Sequence, residues 1–182
     1  FMEFDKYGHI WVAHPSKGYY RLRLSDDGME LKEYEFYGVS NKFVDTYAYL
    51  SKIDNDLVFY NPQGFFNYDP IDNTFIKDKY ASELFKDIQG INSISQYENV
   101  FWYSTSKFLG YVLRNRNKFK TIEEPFHSMI NRHLNDFNKF KKFNDSTFGI
   151  GMDNGMVFHN INNLELDTYK APPMFRYIEF IS

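Results

Sequence analysis

Short apolar runs, each flanked by polar turn residues, recur along the whole chain. The runs are Ile10–Ala13, Leu57–Tyr60, Val100–Tyr103 and Thr147–Ile150. Runs of this length bounded by Asn, Asp, Gly or Pro are typical of buried β-strands and are too short for core helices. The pattern therefore predicts an all-β chain.

A glycine followed by an apolar pair comes after each run, and these glycines recur at a nearly constant spacing. These glycines are Gly18, Gly64, Gly110 and Gly155, and they are separated by 46, 46 and 45 residues. A fixed period of this size is the mark of a repeat architecture. A β-sandwich also consists of short strands, but it gives no reason for a constant register.

Two further strands complete each repeat, one before the apolar run and one after the glycine strand. The first strands are predicted over Phe1–Phe4, Tyr47–Ile53, Ile91–Gln96 and Phe137–Phe143. The last strands are predicted over Met29–Tyr34, Thr74–Lys77, Lys118–Ile122 and Leu164–Tyr169. Four short strands in about 46 residues form one blade of a β-propeller. The sequence thus predicts four blades, with units at roughly 1–42, 43–88, 89–133 and 134–172.

The connections between blades are predicted to carry little regular structure. Ala81–Ile88 and Pro125–Leu134 are expected to form short helical turns without the periodicity of a core helix. Asn41–Tyr47 and Phe85–Gly90 are the better candidates for contacting a ligand, since propeller loops carry function while the blades hold them. Trp11 and Trp102 lie inside strand runs, and packing between blades is the expected role of both indoles.

The first unit resembles a known family. Asp5, Gly8, Ile10, Trp11 and Val12 match the pattern D-x-x-G-x-[IL]-W-[VIF]-[GA] of the two-component regulator propeller repeat, and a glycine and an aromatic-rich strand follow. The later units depart from this pattern, with Trp11 replaced by Val58, Phe101 or Phe148. The positions assigned to the repeat are Asp5, Gly8, Trp11, Gly18, Gly64, Gly110 and Gly155.

The end of the chain carries a second resemblance. Ala171–Ile181 is similar to the segment that, in this family, leaves the last blade and enters a β-sandwich domain. Residues 173–182 are therefore predicted to begin such a domain, and the four blades to be an arc of a larger propeller. The alternative is that four blades close by themselves, with Phe1–Phe4 pairing with the last blade.

The resemblance implies a sensor region of a bacterial signalling protein. In many members the propeller lies in the periplasm, the ligands are often carbohydrate fragments, and the output is a histidine kinase or a DNA-binding regulator. This implies a small-molecule ligand such as an oligosaccharide, contacts with other blades and domains of the parent protein, and dimerisation through that parent.

The composition argues against several classes of function. The formal net charge of −3 and the pI near 6.0 argue against a domain that grips nucleic acid through a general basic field. The chain has no cysteine, which excludes disulfides, thiolate metal sites and cysteine nucleophiles. No apolar run approaches the 18 residues that a spanning helix needs, so this segment is not expected to insert into a membrane.

Candidate chemistry is sparse. The five histidines lack metal-ligand spacing; they are His9, His14, His127, His133 and His159. Nearly all aspartates fall in predicted turns, where Asp stabilises local bends. The sequence therefore assigns no catalytic residue, metal or cofactor.

Three hypotheses stay open at this point. The first is a non-catalytic sensory segment that binds a ligand. The second is a protein-interaction scaffold. The third is a propeller glycosidase or lyase, which would need a carboxylate cluster in the central funnel.

Overall fold

The computed structural model is an all-β molecule whose four four-stranded antiparallel sheets are arranged as a four-bladed propeller. The structure describes residues 1–38, 47–116, 118–130, 132, 140–153 and 155–163, and the backbone of 166–169. Within each sheet the strands pair in chain order, so each run of four consecutive strands is one blade. The predicted fold class is confirmed.

The strand bounds follow the repeat. The first blade contains β1 (Met2–Phe4), β2 (Ile10–His14), β3 (Gly18–Leu24) and β4 (Leu31–Tyr37). The second contains β5 (Tyr49–Ile53), β6 (Asp56–Asn61), β7 (Gly64–Asp69) and β8 (Thr74–Lys77). The third contains β9 (Ile91–Tyr97), β10 (Val100–Thr105), β11 (Leu109–Asn115) and β12 (Lys118–Ile122). The fourth contains β13 (Phe140–Lys142), β14 (Thr147–Met152), β15 (Gly155–Asn160) and β16 (Leu166–Tyr169).

Two short helices lie in the described parts of the connections. The helix α1 covers Lys79–Leu84, and a 3₁₀ helix covers Glu124–Met129. The side chain of Asp78 caps α1 by accepting a hydrogen bond from the backbone nitrogen of Ala81 at 3.0 Å. The predicted helical turns are thus present, and each begins slightly earlier in the chain than expected. Although α1 has only six residues, Ala81 and Leu84 are both buried in the core between the second and third blades.

The first strand of each sheet lies on the inner side of the propeller. β1 contacts β5 and β5 contacts β9, whereas the last strands β4 and β8 are largely exposed outer edges. β1 pairs antiparallel with β2 of its own blade, with Met2 opposite Val12 and Phe4 opposite Ile10. The alternative pairing of Phe1–Phe4 with the last blade is therefore wrong, because the short turn after Phe4 folds this strand back onto its own sheet.

Aromatic side chains fill the junctions between successive blades. Trp11 of the first blade contacts Phe59 of the second, with ring centroids 4.7 Å apart. Trp102 of the third blade contacts Phe148 of the fourth at 5.2 Å. Both indoles are at most 1% exposed, so the predicted packing of the two tryptophans between blades is confirmed. The high aromatic content of the chain is explained by these junctions, since rings supply large buried areas.

The repeat glycines serve two different steric purposes. Gly18 has a φ of +129°, and a Cβ there would lie 2.1 Å from the carbonyl oxygen of Tyr37, so only glycine fits. Gly64 and Gly155 also have positive φ. Gly110 lies inside β11, and its Cβ would lie 2.7 Å from the carbonyl oxygen of Ile122. Close approach of the neighbouring strand therefore explains glycine at this position.

Strand pairing fixes the equivalence of positions between blades. The residues opposite the second position after each repeat glycine are Val12, Phe59, Phe101 and Ile150. The Trp11 position is therefore Val58 in the second blade, Val100 in the third and Gly149 in the fourth. The predicted replacement by Val58 agrees with this register, whereas those by Phe101 and Phe148 are wrong. The turns between the second and third strands differ in length, so chain spacing alone shifts the alignment.

Candidate ligand-binding cleft

The motif that carries the family resemblance is a structural one, with Asp5 at its centre. Oδ1 of Asp5 accepts hydrogen bonds from the backbone nitrogens of Tyr7 at 2.8 Å and His9 at 2.9 Å. Oδ2 accepts one from Nε1 of Trp11 at 2.9 Å and lies 3.1 Å from Nδ1 of His9. Gly8 has a φ of +84° within this turn. Asp5 thus closes the turn and holds the indole of Trp11 in place.

The electrostatics of Asp5 match an anchoring role. Partial burial acts to raise its pKa, but the hydrogen bonds from Trp11, His9 and Tyr7 favour the carboxylate and hold the pKa below its ordinary value. A carboxyl group that stays ionised in this way is a poor general acid. His9 belongs to the same turn, since its backbone nitrogen donates to Asp5.

A polar network joins the first and second blades beside Trp11. The guanidinium of Arg21 donates to Oε2 of Glu35 at 2.6 Å and to the hydroxyl of Tyr68. Asn73 donates to Oε1 of Glu35 at 2.7 Å and accepts from the hydroxyls of Tyr37 at 2.8 Å and Tyr68 at 2.7 Å. These five residues are called the Arg21 network below. Because they come from both blades, the network fixes one blade relative to the other.

A second network joins the second and third blades. Both terminal guanidinium nitrogens of Arg114 donate to the carboxylate of Asp54, and Arg114 also donates to the hydroxyl of Tyr80 at 2.6 Å. Gln96 donates to Oδ1 of Asp54 at 2.7 Å and accepts from its backbone nitrogen at 2.6 Å. The hydrogen bond from Arg114 is the main reason that the pKa of Asp54 is lowered. The turn at Asp54 in one blade is thus clamped by side chains of the next.

A groove of about 500 Å³ runs along the innermost strands. Its described lining includes the carboxylate residues Glu3, Asp54 and Glu98. Each of them forms an ion pair with a basic side chain, respectively Lys52 at 3.5 Å, Arg114, and Lys142 at 3.0 Å. The glycosidase hypothesis requires one carboxyl group that holds a proton. At Asp54 the hydrogen bond from Arg114 lowers the pKa and favours the carboxylate, so this residue is poorly suited to hold that proton.

A cleft of about 310 Å³ opens at the opposite end of the sheets, between the second and third blades. We call it the Tyr47 cleft. Among the described residues its lining comes from both blades and their connections and includes Tyr47, Tyr49, Pro62, Gly90, Ile91, Asn92 and Ser106. Tyr47 and Gly90 are the last residues of the two connections predicted to contact a ligand. The fold therefore brings the ends of both connections to one cleft; residues 41–46 lie outside the described part.

The side chains of the Tyr47 cleft combine an exposed ring with polar groups on a rigid wall. Tyr47 is 52% exposed. Tyr49 is buried and stacks on Tyr60 with centroids 5.6 Å apart. Asn92 is buried, and its Oδ1 accepts a hydrogen bond from Oγ of Ser104 at 2.7 Å, which orients the amide. Within the described ranges Nδ2 of Asn92 has no acceptor, so the amide can donate to a molecule in the cleft.

A third cavity, of about 250 Å³, lies beside the Asp5 turn between the first and second blades. Trp11 borders this cavity but is only 1% exposed, so its ring offers no face for stacking. Its polar wall includes Asp5, whose oxygens are already occupied by the turn. The Tyr47 cleft therefore has the better arrangement for binding.

His159 is a buried side chain that sequence reasoning passed over. Its Nε2 lies 3.1 Å from the hydroxyl of Tyr111, and its ring lies 5.0 Å from that of Phe126. Its place in the strand β15, two residues after Val157, was the available signal for burial. His127 is exposed, and His133 lies outside the described residues.

Comparisons with known proteins give a structural likeness. No family model and no curated protein matches the sequence. The fold is similar to that of the extracellular domain assigned to a hybrid two-component system, BT4673, of B. thetaiotaomicron. That likeness has a TM-score of 0.57 and 14% sequence identity and covers 92% of this chain and 23% of the other. A second structure, the extracellular domain of BT4673 described as a one-component system, has a TM-score of 0.57 and 16% identity and covers 92% and 21%.

At such low sequence identity the two neighbours show a likeness of fold and nothing about function. The chain spans less than a quarter of the length of either neighbour. Among the residues that the structure describes, no helix is long and apolar enough to cross a membrane. The unit boundaries, and the β-sandwich expected over 173–182, stay predictions.

Proposed function

We propose that this chain is a non-catalytic sensory segment of a bacterial signalling protein that binds a small molecule in the Tyr47 cleft outside the cytoplasm. The observation that carries the proposal is the convergence of two inter-blade connections on one cleft with an exposed tyrosine. The fold likeness to extracellular domains of a two-component or one-component system supports a sensory role.

The cleft favours a carbohydrate as the ligand. A tyrosine face stacks on the apolar face of a sugar ring, while an oriented amide and a serine hydroxyl bond its hydroxyl groups. Tyr47, Asn92 and Ser106 supply these three groups. The cleft volume of about 310 Å³ lies at the lower end of the range for ligand sites, which fits one or two sugar rings.

Binding at this position can act on the arrangement of blades. Pro62 belongs to the second blade and Asn92 to the third, so a ligand in the cleft contacts both. A ligand shifts a conformational equilibrium only if it binds one arrangement more tightly than another. A site shared by two blades meets this condition, since a change in their spacing alters the contacts.

Calorimetry of the full-length polypeptide against a panel of mono- and oligosaccharides tests the proposal. We expect one class of glycan to bind, and Tyr47→Ala and Asn92→Ala each to weaken binding at least tenfold. Tyr34→Ala is the matched control, because Tyr34 is 70% exposed on the outer strand β4 of the first blade.

Two outcomes would overturn the proposal. One is equal affinity for the wild type and both cleft variants, which would place the ligand elsewhere. The other is no binding by any glycan in the panel, which would leave the scaffold role as the better hypothesis.

A further inference from the structure

The wall of the Tyr47 cleft that belongs to the second blade is also held by the first blade. Tyr19 of β3 is fully buried, and its hydroxyl donates to the carbonyl oxygen of Tyr49 at 3.0 Å and to that of Tyr60 at 3.1 Å. Tyr49 lines the cleft, and it lies opposite Tyr60 in the pairing of β5 with β6. One hydroxyl of the first blade therefore contacts both strands that carry this wall.

A second hydrogen bond joins the same wall to the first blade. The backbone nitrogen of Ala48 donates to the carbonyl oxygen of Pro15 at 3.3 Å, and Pro15 lies in the turn between β2 and β3. Ala48 is 1% exposed and stands between Tyr47 and Tyr49, the two tyrosines of the cleft. The first blade thus holds the start of β5 at two points.

The opposite wall belongs to the third blade and has a support of its own. The hydrogen bond from Ser104 orients the amide of Asn92 there. Further along the strands, Oγ of Ser51 in β5 donates to the carbonyl oxygen of Ile94 in β9 at 3.2 Å, which joins the two walls at one level. At the mouth of the cleft, the separation of the two walls depends on where the first blade places the start of β5.

We propose that Tyr19 is a positioning residue for the Tyr47 cleft, and that the first blade sets the affinity of the cleft through it. This inference rests on the proposed function, because affinity has a meaning here only if the cleft binds a ligand. Tyr19 has no exposed surface, so it acts on a bound molecule through Tyr49 and not by contact. Burial raises the pKa of Tyr19, so its hydroxyl keeps the donated proton at neutral pH.

The physical route is a shift in the population of clefts that can bind. Without the hydroxyl of Tyr19, two carbonyl oxygens lose a donor, and the start of β5 gains other positions of similar free energy. The apparent affinity then falls in proportion to the fraction of molecules in which the cleft keeps its shape. A loss of about tenfold corresponds to a competent fraction of about one tenth, and one buried hydrogen bond can supply it.

Electron paramagnetic resonance of the whole chain tests the positioning without a ligand. The chain has no cysteine, so Tyr47→Cys and Ser106→Cys place two nitroxide labels on opposite sides of the cleft. We expect Tyr19→Phe to broaden the distribution of distances between the labels. Tyr111→Phe is the matched control, because it removes an equally buried hydroxyl, which lies 3.1 Å from Nε2 of His159 between the third and fourth blades. We expect this control to leave the distribution unchanged.

Calorimetry with the same mono- and oligosaccharides, on chains without labels, tests the effect on binding. For the panel member that binds the wild type, we expect Tyr19→Phe to raise Kd about tenfold. We expect Tyr111→Phe to change Kd by no more than about twofold, because it lies outside the cleft wall. A loss of general stability would act on both variants alike, since each loses one buried hydroxyl.

The two measurements separate failure of this inference from failure of the proposed function. Equal distance distributions for Tyr19→Phe and Tyr111→Phe would overturn the positioning role, whether or not a glycan binds. Equal Kd values for the two variants would overturn the link to affinity. A broadened distribution in a chain that binds no glycan would remove the proposed function and support the positioning of the cleft wall by Tyr19.

Discussion

The junction around Trp11 and the junction around Trp102 solve the same packing problem differently. Trp11 stacks on Tyr37 with centroids 5.4 Å apart, and its Nε1 donates to Asp5. Trp102 stacks on Phe140 at 5.0 Å. In the described part of the chain Nε1 of Trp102 has no hydrogen-bond partner. The indole of Trp11 is therefore tied by a hydrogen bond, whereas the indole of Trp102 is held by ring contacts, and the polar contact of its junction joins Tyr111 to His159.

The difference shows which part of the repeat is required for the fold. Burial of a large ring between blades is common to both junctions, so the ring is the shared requirement. The hydrogen bond to Asp5 and the Arg21 network are additions of the first junction. A buried indole N–H without a partner carries a desolvation cost of about 1–3 kcal/mol, which the ring contacts of Trp102 must offset.

Removing either ring should have the largest effect. Trp102→Ala is expected to lower the free energy of unfolding by about 3–5 kcal/mol, because it leaves a large cavity in a close-packed junction. Trp11→Ala should cost a similar amount. Urea denaturation of both variants checks this, and a loss below 1 kcal/mol at either position would show that its junction is not a packed core.

Substitution of each tryptophan by phenylalanine separates the contribution of the hydrogen bond to stability from the contribution of the ring. Trp11→Phe loses ring volume together with a hydrogen bond to a carboxylate, which adds about 1.5–3 kcal/mol. Trp102→Phe loses ring volume but no hydrogen bond, and it removes an unpartnered polar atom. We expect Trp11→Phe to be the more destabilising of the two in the same denaturation assay. The reverse order would contradict the assigned role of Asp5.

The Arg21 network should contribute less, since its groups are partly exposed. Arg21→Met leaves Glu35 without its cation, and we expect a loss of about 2 kcal/mol after allowing for solvent screening. Arg23→Met is the matched control on the same strand, because Arg23 is 61% exposed and lies 3.6 Å from Glu33. Equal unfolding midpoints for the two variants would show that the network does not hold the blades.

The smallest effect is expected from the charge of Asp5, measured as a function of pH. Its pKa is lower in the folded state than the ordinary value of about 3.9. Its ionised form therefore stabilises the fold at higher pH, and this contribution is lost as the pH falls through the folded pKa. Asp5→Asn should cost about 1 kcal/mol at pH 7, and the difference from the wild type should shrink towards pH 2.5. If the difference in stability between Asp5→Asn and the wild type does not change with pH, turn geometry and not the charge of Asp5 causes the effect.

The sequence predicts the architecture well because each blade repeats local signals. Apolar runs, polar turns and glycines at a period of about 46 residues set the strands and their order within a blade. The role of Gly110 was not predictable, since its Cβ would meet the carbonyl oxygen of Ile122 in another strand. The alignment of Phe101 with Trp11 failed for a related reason, because turn length differs between blades.

The candidate site is harder to predict from the sequence than the architecture is. Reasoning about loops selected the connections that end at Tyr47 and Gly90. It could not select Asn92, since this residue lies inside a strand and gains its position from Ser104 on the next strand. Sites formed between blades depend on how two sheets face each other. That information is absent from any single repeat.

The clamping of Asp54 by Gln96 and Arg114 also bears on how the molecule comes apart. In the described part of the chain every strand pair lies within one blade. The contacts between blades join blades that follow one another in the chain, β1 to β5 and β5 to β9, as in a one-dimensional array. Unfolding of such an array can begin at a terminal unit and advance one unit at a time. The clamp opposes the separation of the second and third blades during unfolding, because two side chains of the third blade must first release a turn of the second.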